Sequence, residues 1–357
     1  MSCLRDWPEP VVRVQSVSDS GLLVIPDQYI KPPSERPSIA SAAEANIPLI
    51  DLQGLVLEDD TKIPASTLTQ ISNACRDWGF FQIVNHGVSP ILMDQMLRLW
   101  RQFFHLPIEL KQIYANSPST YEGYGSRLGV QKGAILDWSD YFFLHYLPPA
   151  LKDHNKWPAL PNSCREVTEE YGDQLVKLCR ILMKVLSINL GLGEDYLQNM
   201  FGGEDIGVCL RVNFYPKCPQ PDLTLGLSSH SDPGGMTLLF SDDHVAGLQV
   251  RKGENWVTVK PAQHAFIINI GDQIQVLSNA TYKSVEHRVL VNSVEERLSL
   301  AFFYNPKSDL LIEPAKELVT PDRPALYPPM TFDEYRLYIR TKGPRGKSQM
   351  ETQKSLR

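Results

Sequence analysis

A chain of 357 residues, 43% of them hydrophobic, is long enough to bury a sizeable core, either as two domains or as one large barrel with helical additions. Its net charge of -6 and pI near 5.8, with no basic stripe carrying interleaved aromatics, argue against nucleic acid as a partner. Six scattered cysteines (Cys3, Cys75, Cys164, Cys179, Cys209, Cys218) form no CxxC, so neither a disulfide framework nor a zinc knuckle is suggested and a reducing compartment is expected.

In chain order, the first 45 residues are rich in Pro and Ser, as in Ile30-Lys31-Pro32-Pro33-Ser34, and read as an extended arm laid over the body or a partly disordered leader. The start carries no apolar leader core, and no run approaches the roughly 18 apolar residues of a membrane span. A cytoplasmic protein without a membrane partner, with nuclear access open, is the expectation. Ile63, Leu68, Ile71 and Ala74 follow helical spacing up to Gly79. Phe80-Phe81-Gln82-Ile83-Val84 then reads as a strand before the turn at Asn85-His86-Gly87, where His86 is expected to be structural. Helices are predicted over 88–104 and 171–190, the second with Leu175, Leu178, Leu182, Met183 and Leu186 on an apolar face that serves the core rather than a cofactor. Between them, Tyr121-Glu122-Gly123-Tyr124 and Trp138-Ser139-Asp140-Tyr141-Phe142-Phe143 supply aromatics for core or pocket wall, Phe143 being the candidate for the wall.

From 208 to 304, short β-rich segments alternate with turn signals such as Pro233-Gly234-Gly235 and Gly253-Glu254-Asn255. This predicts a mainly β fold with flanking helices, built as a barrel or a double-sheet jelly roll. A last helix opens with the capping box Thr331-Phe332-Asp333-Glu334 and stops at Lys342-Gly343-Pro344, which puts Arg336 and Arg340 on one face.

The chemistry is carried by a few positions. His230 and Asp232 stand at i and i+2, so on an extended strand both point toward one ion. The stretch 282–291 has the β-branched content of a strand that brings His287 alongside. Two imidazoles and one carboxylate on one face of an octahedron leave three positions open, the arrangement of non-heme Fe(II) oxygenases. Arg297 and Ser299 also stand at i and i+2, in an apolar strand; an inward arginine is costly unless it meets an anion, and a guanidinium beside a hydroxyl suits a carboxylate. Arg211, Asn213 and Tyr215 share one strand face and need a polar partner too. A zinc hydrolase would use similar ligands, but it needs a general base and leaves Arg297 and Ser299 without a role.

These motifs, together with Ile47-Pro48-Leu49-Ile50-Asp51-Leu52, Trp78-Gly79-Phe80-Phe81-Gln82-Ile83-Val84-Asn85-His86-Gly87 and Phe103-Phe104-His105-Leu106-Pro107, resemble the plant 2-oxoglutarate and Fe(II)-dependent dioxygenases over almost the whole chain. The pattern of that family is His-x-Asp, a distal His and Arg-x-Ser. The resemblance implies an arm at 1–45, an N-terminal dioxygenase module at 46–160, a helical connector at 161–205, a double-stranded β-helix (jelly-roll) core at 206–308, and a C-terminal helix and tail at 309–357. It implies Fe(II) held by His230, Asp232 and His287, and 2-oxoglutarate whose distal carboxylate meets Arg297 and Ser299 while Asn213 and Tyr215 add hydrogen bonds. Dioxygen would be the second cosubstrate and ascorbate the reductant. A non-catalytic hormone-binding relative is the alternative, against which the intact triad argues.

Within the family, Trp7-Pro8-Glu9-Pro10-Val11-Val12-Arg13-Val14-Gln15-Ser16, the segment 121–130 and the helix through Arg340 are similar to the jasmonate-induced oxygenases, which hydroxylate jasmonic acid to 12-hydroxyjasmonate and lower the hormone signal. That similarity implies Arg211, Arg336 and Arg340 as partners of the jasmonate carboxylate, with Phe143 and Phe303 as further substrate contacts. Pairing of Arg336 and Arg340 with Asp333 and Glu334 on their own helix is the competing reading. Ser229 stands where many relatives carry Pro, which leaves the rigidity of the loop ahead of His230 open. The other substrate class is flavonoids, as in flavonol synthase and anthocyanidin synthase, whose planar phenols give a cluster of arginines little to do.

Overall fold

The computed structural model describes residues 6–37, 43–44, 47–56, 63–344 and 346–355; the chain start, with Cys3, lies outside them. The strands of the two larger sheets are β1 Ala43–Glu44, β2 Leu49–Asp51, β3 Phe80–Val84, β4 Gly123–Gly125, β5 Asp140–Leu147, β6 Gly207–Tyr215, β7 Leu227–His230, β8 Met236–Ser241, β9 Leu248–Lys252, β10 Asn255–Thr258, β11 Phe266–Ile270, β12 His287–Val289 and β13 Arg297–Asn305. The helices are α1 Val14–Asp19, α2 Gln53–Val56, α3 Ala65–Asp77, α4 Pro90–Phe104, α5 Ile108–Gln112, α6 Cys164–Asn189, α7 Tyr196–Met200, α8 Asp272–Leu277, α9 Phe332–Lys342 and α10 Ser348–Ser355. A five-stranded sheet runs β1-β10-β9-β12-β7 and an eight-stranded sheet runs β2-β3-β11-β8-β13-β6-β5-β4. Together they make the jelly-roll core, with one cavity lined from both sheets.

The pairing of β6 with β13 shows how sequence sets the inside and the outside. Arg297 stands opposite Tyr215, Ser299 opposite Asn213 and Ala301 opposite Arg211. Alternation along both strands turns these residues into the cavity. Their neighbours Val212, Phe214, Leu298, Leu300 and Phe302 face the other way, into the main apolar core with α4 and α6. Helix α4 starts on Pro90, where the missing N–H costs nothing, and buries Met93, Met96, Trp100, Phe103 and Phe104 at helical spacing. Helix α6 begins at Cys164, about two turns before the start at 171 expected from the sequence. Arg165, Glu166, Glu169 and Glu170 continue the helix without signalling a buried face.

Three local expectations are corrected. Strand β7 ends at His230, so Asp232 sits in the turn toward β8 rather than on a strand. The strand expected over 282–291 shrinks to His287–Val289. Upstream of it the amides of Lys283 and Ser284 leave the ladder for Cys75 O and the Gln275 side chain, a long-range choice that β-branched content does not encode. The arm is not merely extended either: α1 forms within it, and Val14, Ile25 and Tyr29 pack with Trp138 and Cys218 in a separate apolar cluster.

The start of α1 has no capping side chain of its own. Its first two amides, Val14 and Gln15, donate instead to the buried Asp140 of β5, each at 2.9 Å. A carboxylate at a helix N-terminus satisfies orphan donors and complements the helix dipole. Cys75, Cys164, Cys179, Cys209 and Cys218 are free thiols, and no described helix is long and apolar enough to cross a membrane. Asp140→Ala should strand these two amides and lower the free energy of unfolding by about 2–4 kcal/mol, measured by urea denaturation, with the arm becoming sensitive to protease.

Candidate active site

His230 ends β7 and His287 begins β12, and the two residues are direct partners across the antiparallel pair. Cross-strand partners share a face, and the imidazole centroids lie 4.2 Å apart. The Asp232 Oδ1 atom reaches the same space from the turn, 3.6 Å from His230 Nε2 and 3.7 Å from His287 Nε2. Ligands about 2.1 Å from an ion and at right angles to one another stand about 3 Å apart, so Asp232 Oδ1 is only slightly farther from each imidazole than coordination requires.

Each ligand is oriented by a second bond. His230 Nδ1 lies 2.8 Å from Ser228 O and His287 Nδ1 lies 3.2 Å from Val285 O. Carbonyl oxygens only accept, so both rings carry their proton on Nδ1 and present a bare Nε2 to the cavity. Burial, reinforced by the neighbouring His287, drives His230 down to about 4, which keeps it neutral. Burial alone would raise the Asp232 carboxyl, yet His287, His230 and hydrogen bonds from Thr237 and Asn269 outweigh it and hold the group below its ordinary range. Those two donors both meet Oδ2, at 2.6 Å each, and leave Oδ1 as the ligating oxygen. Two imidazoles and one carboxylate oxygen, all facing one cavity, fit a divalent iron.

Deeper in the barrel, Arg297 is 3% exposed, and its Nε and Nη1 have no hydrogen-bond partner. Burial lowers its pKa, partly offset by Tyr215 beside it. Its stem lies against Gly247, where a Cβ would come within 3.0 Å of Arg297 Cδ and 3.1 Å of Leu290 O. Buried guanidinium donors with Ser299, Asn213 and Tyr215 around them suit the distal carboxylate of 2-oxoglutarate.

The same cavity, about 230 Å³, extends to three more arginines. Arg211 lies 4.1 Å above the Tyr141 ring, with its Nε unpartnered. Arg336 does pair with Asp333 on its own helix, at 2.5 Å, but its Nε also lacks a partner. Burial and the proximity of Arg336 push Arg340 below its ordinary pKa. Asp333 thus answers one of three converging cations. Phe143 and Phe303 line the wall, so every site residue expected from the sequence borders this one cavity.

Other expectations resolve nearby. His86 is tied to His264 O and the Val88 amide, a structural role. Ser229 binds Glu286 through its hydroxyl, a link between the flanks of the two metal histidines that Pro could not make. Thr237 and Asn269 escaped the sequence reading, in which Tyr141 counts only as one aromatic of core or pocket wall. A signal existed for Asn269, the one polar residue in the apolar run Phe266–Ile270.

The model of the 2OG-Fe(II) oxygenase superfamily matches residues 206–306, and that of the non-haem dioxygenase N-terminal region, described from morphine synthesis, matches 47–160. Jasmonate-induced oxygenase 1 of Arabidopsis thaliana is 63% identical over 98% of this chain and 88% of its own length. The crystal structure of JOX2 in complex with 2OG, Fe and JA superposes with a TM-score of 0.92 at 64% identity, covering 98% of this chain and 99% of that one. Leucoanthocyanidin dioxygenase of Malus domestica is 38% identical over 90% of this chain and 93% of its own length.

Two outcomes are expected. Thr237→Val and Asn269→Leu, which free the Asp232 carboxylate from its second bond, should each weaken divalent-metal binding about 10- to 100-fold in direct titrations. Arg297→Ala should weaken 2-oxoglutarate binding about 10- to 100-fold in anaerobic titrations, while metal affinity stays near the parent value.

Proposed function

The chain belongs to the 2OG-Fe(II) oxygenase superfamily, and from that membership we propose that it hydroxylates jasmonic acid to 12-hydroxyjasmonate, with 2-oxoglutarate and O2 consumed and succinate and CO2 released. It is a 2-oxoglutarate-dependent dioxygenase. The observation that carries the substrate is the convergence of Arg211, Arg336 and Arg340 on a cavity that is otherwise largely apolar and that ends at His230, Asp232 and His287. A monocarboxylic acid with a hydrocarbon tail matches that division. The complex of the 64% identical JOX2 with JA supports the same ligand class.

In this reading each part of the chain has a separate task. His230, Asp232 and His287 hold Fe(II), which supplies with 2-oxoglutarate and O2 the oxidising power of the reaction. Arg297 and Ser299 bind the distal carboxylate of 2-oxoglutarate, and Asn213 and Tyr215 complete its hydrogen bonding. Arg211, Arg336 and Arg340 bind the jasmonate carboxylate at the far end of the cavity, so that the pentenyl chain is directed back toward the metal ligands. Phe143 and Phe303 confine that chain and exclude water. Ascorbate is proposed as the reductant that keeps the metal ferrous, and a reducing cytosolic setting agrees with the free thiols. Removal of the hormone would lower its signal.

Flavonoid oxidation is the other reading, and the 38% identity to a leucoanthocyanidin dioxygenase is its support. Planar phenols would leave Arg211 and Arg340, both half-buried, without an anion beyond the Asp333 that Arg336 already holds, which disfavours it. Arg336→Ala and Arg340→Ala should each raise the KM for jasmonic acid about tenfold or more, while anaerobic 2-oxoglutarate binding holds. Methyl jasmonate should be a much poorer substrate of the parent enzyme, and the variants should discriminate less between acid and ester. Equal turnover of acid and ester, or faster oxidation of a flavonoid, would reject the jasmonate assignment.

A further inference from the structure

Helix α9 carries two of the three substrate arginines, and it is tied to the metal-binding segment on both sides of His230. Near its start, the Tyr335 hydroxyl donates to Asp272 Oδ2 at 2.7 Å, and the Ser231 hydroxyl donates to the same oxygen at 3.1 Å. Just beyond its end, the Gly346 amide donates to Ser229 O at 2.7 Å. Ser229 and Ser231 bracket His230, and Ser231 also precedes Asp232. Asp272 holds the metal turn through its backbone as well: its amide donates to Asp232 O at 2.8 Å, and the next amide, of Gln273, to Gly234 O at 2.9 Å.

Asp272 and Tyr335 are each 1% exposed and Ser231 is 4% exposed, and none of the three borders the cavity. They therefore touch neither substrate nor cosubstrate. A buried carboxylate is costly unless its bonds are worth more than its hydration, and this one bonds two segments far apart in sequence that carry the two halves of the site. We infer that Tyr335, Asp272 and Ser231 are positioning residues, a buried link that couples the arginine helix to the metal-binding turn so that loading the metal orders α9 for the substrate anion.

The inference rests on the proposed binding of the substrate carboxylate by α9, but its first test requires no substrate. Hydrogen–deuterium exchange of the full chain is followed with and without Mn(II) and 2-oxoglutarate, with Mn(II) as a redox-quiet stand-in for iron. In the parent protein, loading should slow exchange severalfold both in the turn 231–235 and across α9. In Tyr335→Phe, which loses one hydroxyl, and in Ser231→Ala, protection should persist in the turn and disappear from α9. Undiminished protection of α9 in both variants, or its absence in the parent, would overturn the coupling.

The second test is kinetic. Tyr335→Phe should raise the KM for jasmonic acid about five- to tenfold, and less hydroxylated product should form per succinate released, with anaerobic 2-oxoglutarate affinity and melting temperature near the parent values. Asp272→Asn, whose carbonyl oxygen can accept both hydroxyls, should lie closer to the parent than Asp272→Leu. If 2-oxoglutarate affinity and melting temperature fall in step with the KM effect, the residues serve general packing and the inference fails. A parent enzyme that does not turn over jasmonic acid defeats the substrate assignment, and the exchange result then decides the coupling alone.

Discussion

His230 and His287 meet because β7 and β12 are hydrogen-bonded with those two residues directly opposite, and the site is arranged around that register. A slip of one residue would turn one imidazole out of the barrel, since neighbouring side chains on a strand point to opposite faces. The register is held from several sides. Strand β9 pairs with the other edge of β12, Gly346 bonds the edge of β7, and the Ser229 hydroxyl binds Glu286 across the pair. With both rings fixed, Asp232 completes the triad from a turn that the amides of Asp272 and Gln273 hold, while Thr237 and Asn269 orient its carboxylate.

The second organising factor is an excess of positive charge along the cavity. Asp242 is the acidic group that acts electrostatically on Arg297, yet it is already committed to Arg101 at 2.6 and 2.7 Å and to the Leu298 amide at 2.8 Å. Arg297 thus keeps unpartnered donors inside the barrel. At the other end, Asp333 meets Arg336 alone. An anion taken up beside these guanidinium groups would stabilise the fold by RT ln(1 + [L]/Kd). The cations fall into two groups along one cavity, Arg297 beside Tyr215 and Ser299, and Arg211 with Arg336 and Arg340.

Much of this was legible because it is local. The Thr331 to Glu334 box predicts the start of α9 within the span of one turn, and both of its hydrogen bonds form. The i and i+2 spacing of Arg297 with Ser299, and of Arg211 with Asn213 and Tyr215, predicts one inward face because a strand repeats every two residues. What was hidden depends on distant pairing. Residues 282–286 look like a strand, but Cys75 and Gln275 compete for their amides. Asp232 departs from its strand because the start of α8 binds the turn. Six residues of α1 are too few to announce a helix when the cap arrives from Asp140.

That borrowed cap also sets an order in time. A six-residue helix does not persist by itself, since nucleation is unfavourable and propagation too short to repay it. Besides Asp140, the arm depends on residues far along the chain: Ser18 bonds Lys217 O, the Ile25 amide bonds Gln220 and the Lys31 amide bonds Leu223 O. Once made, the segment must therefore wait for about 200 further residues, roughly 10–40 s of synthesis, before these partners exist. Leu22, Leu23 and Val24 stay on the surface even after docking, so for this stretch the end of the wait brings no burial of apolar side chains.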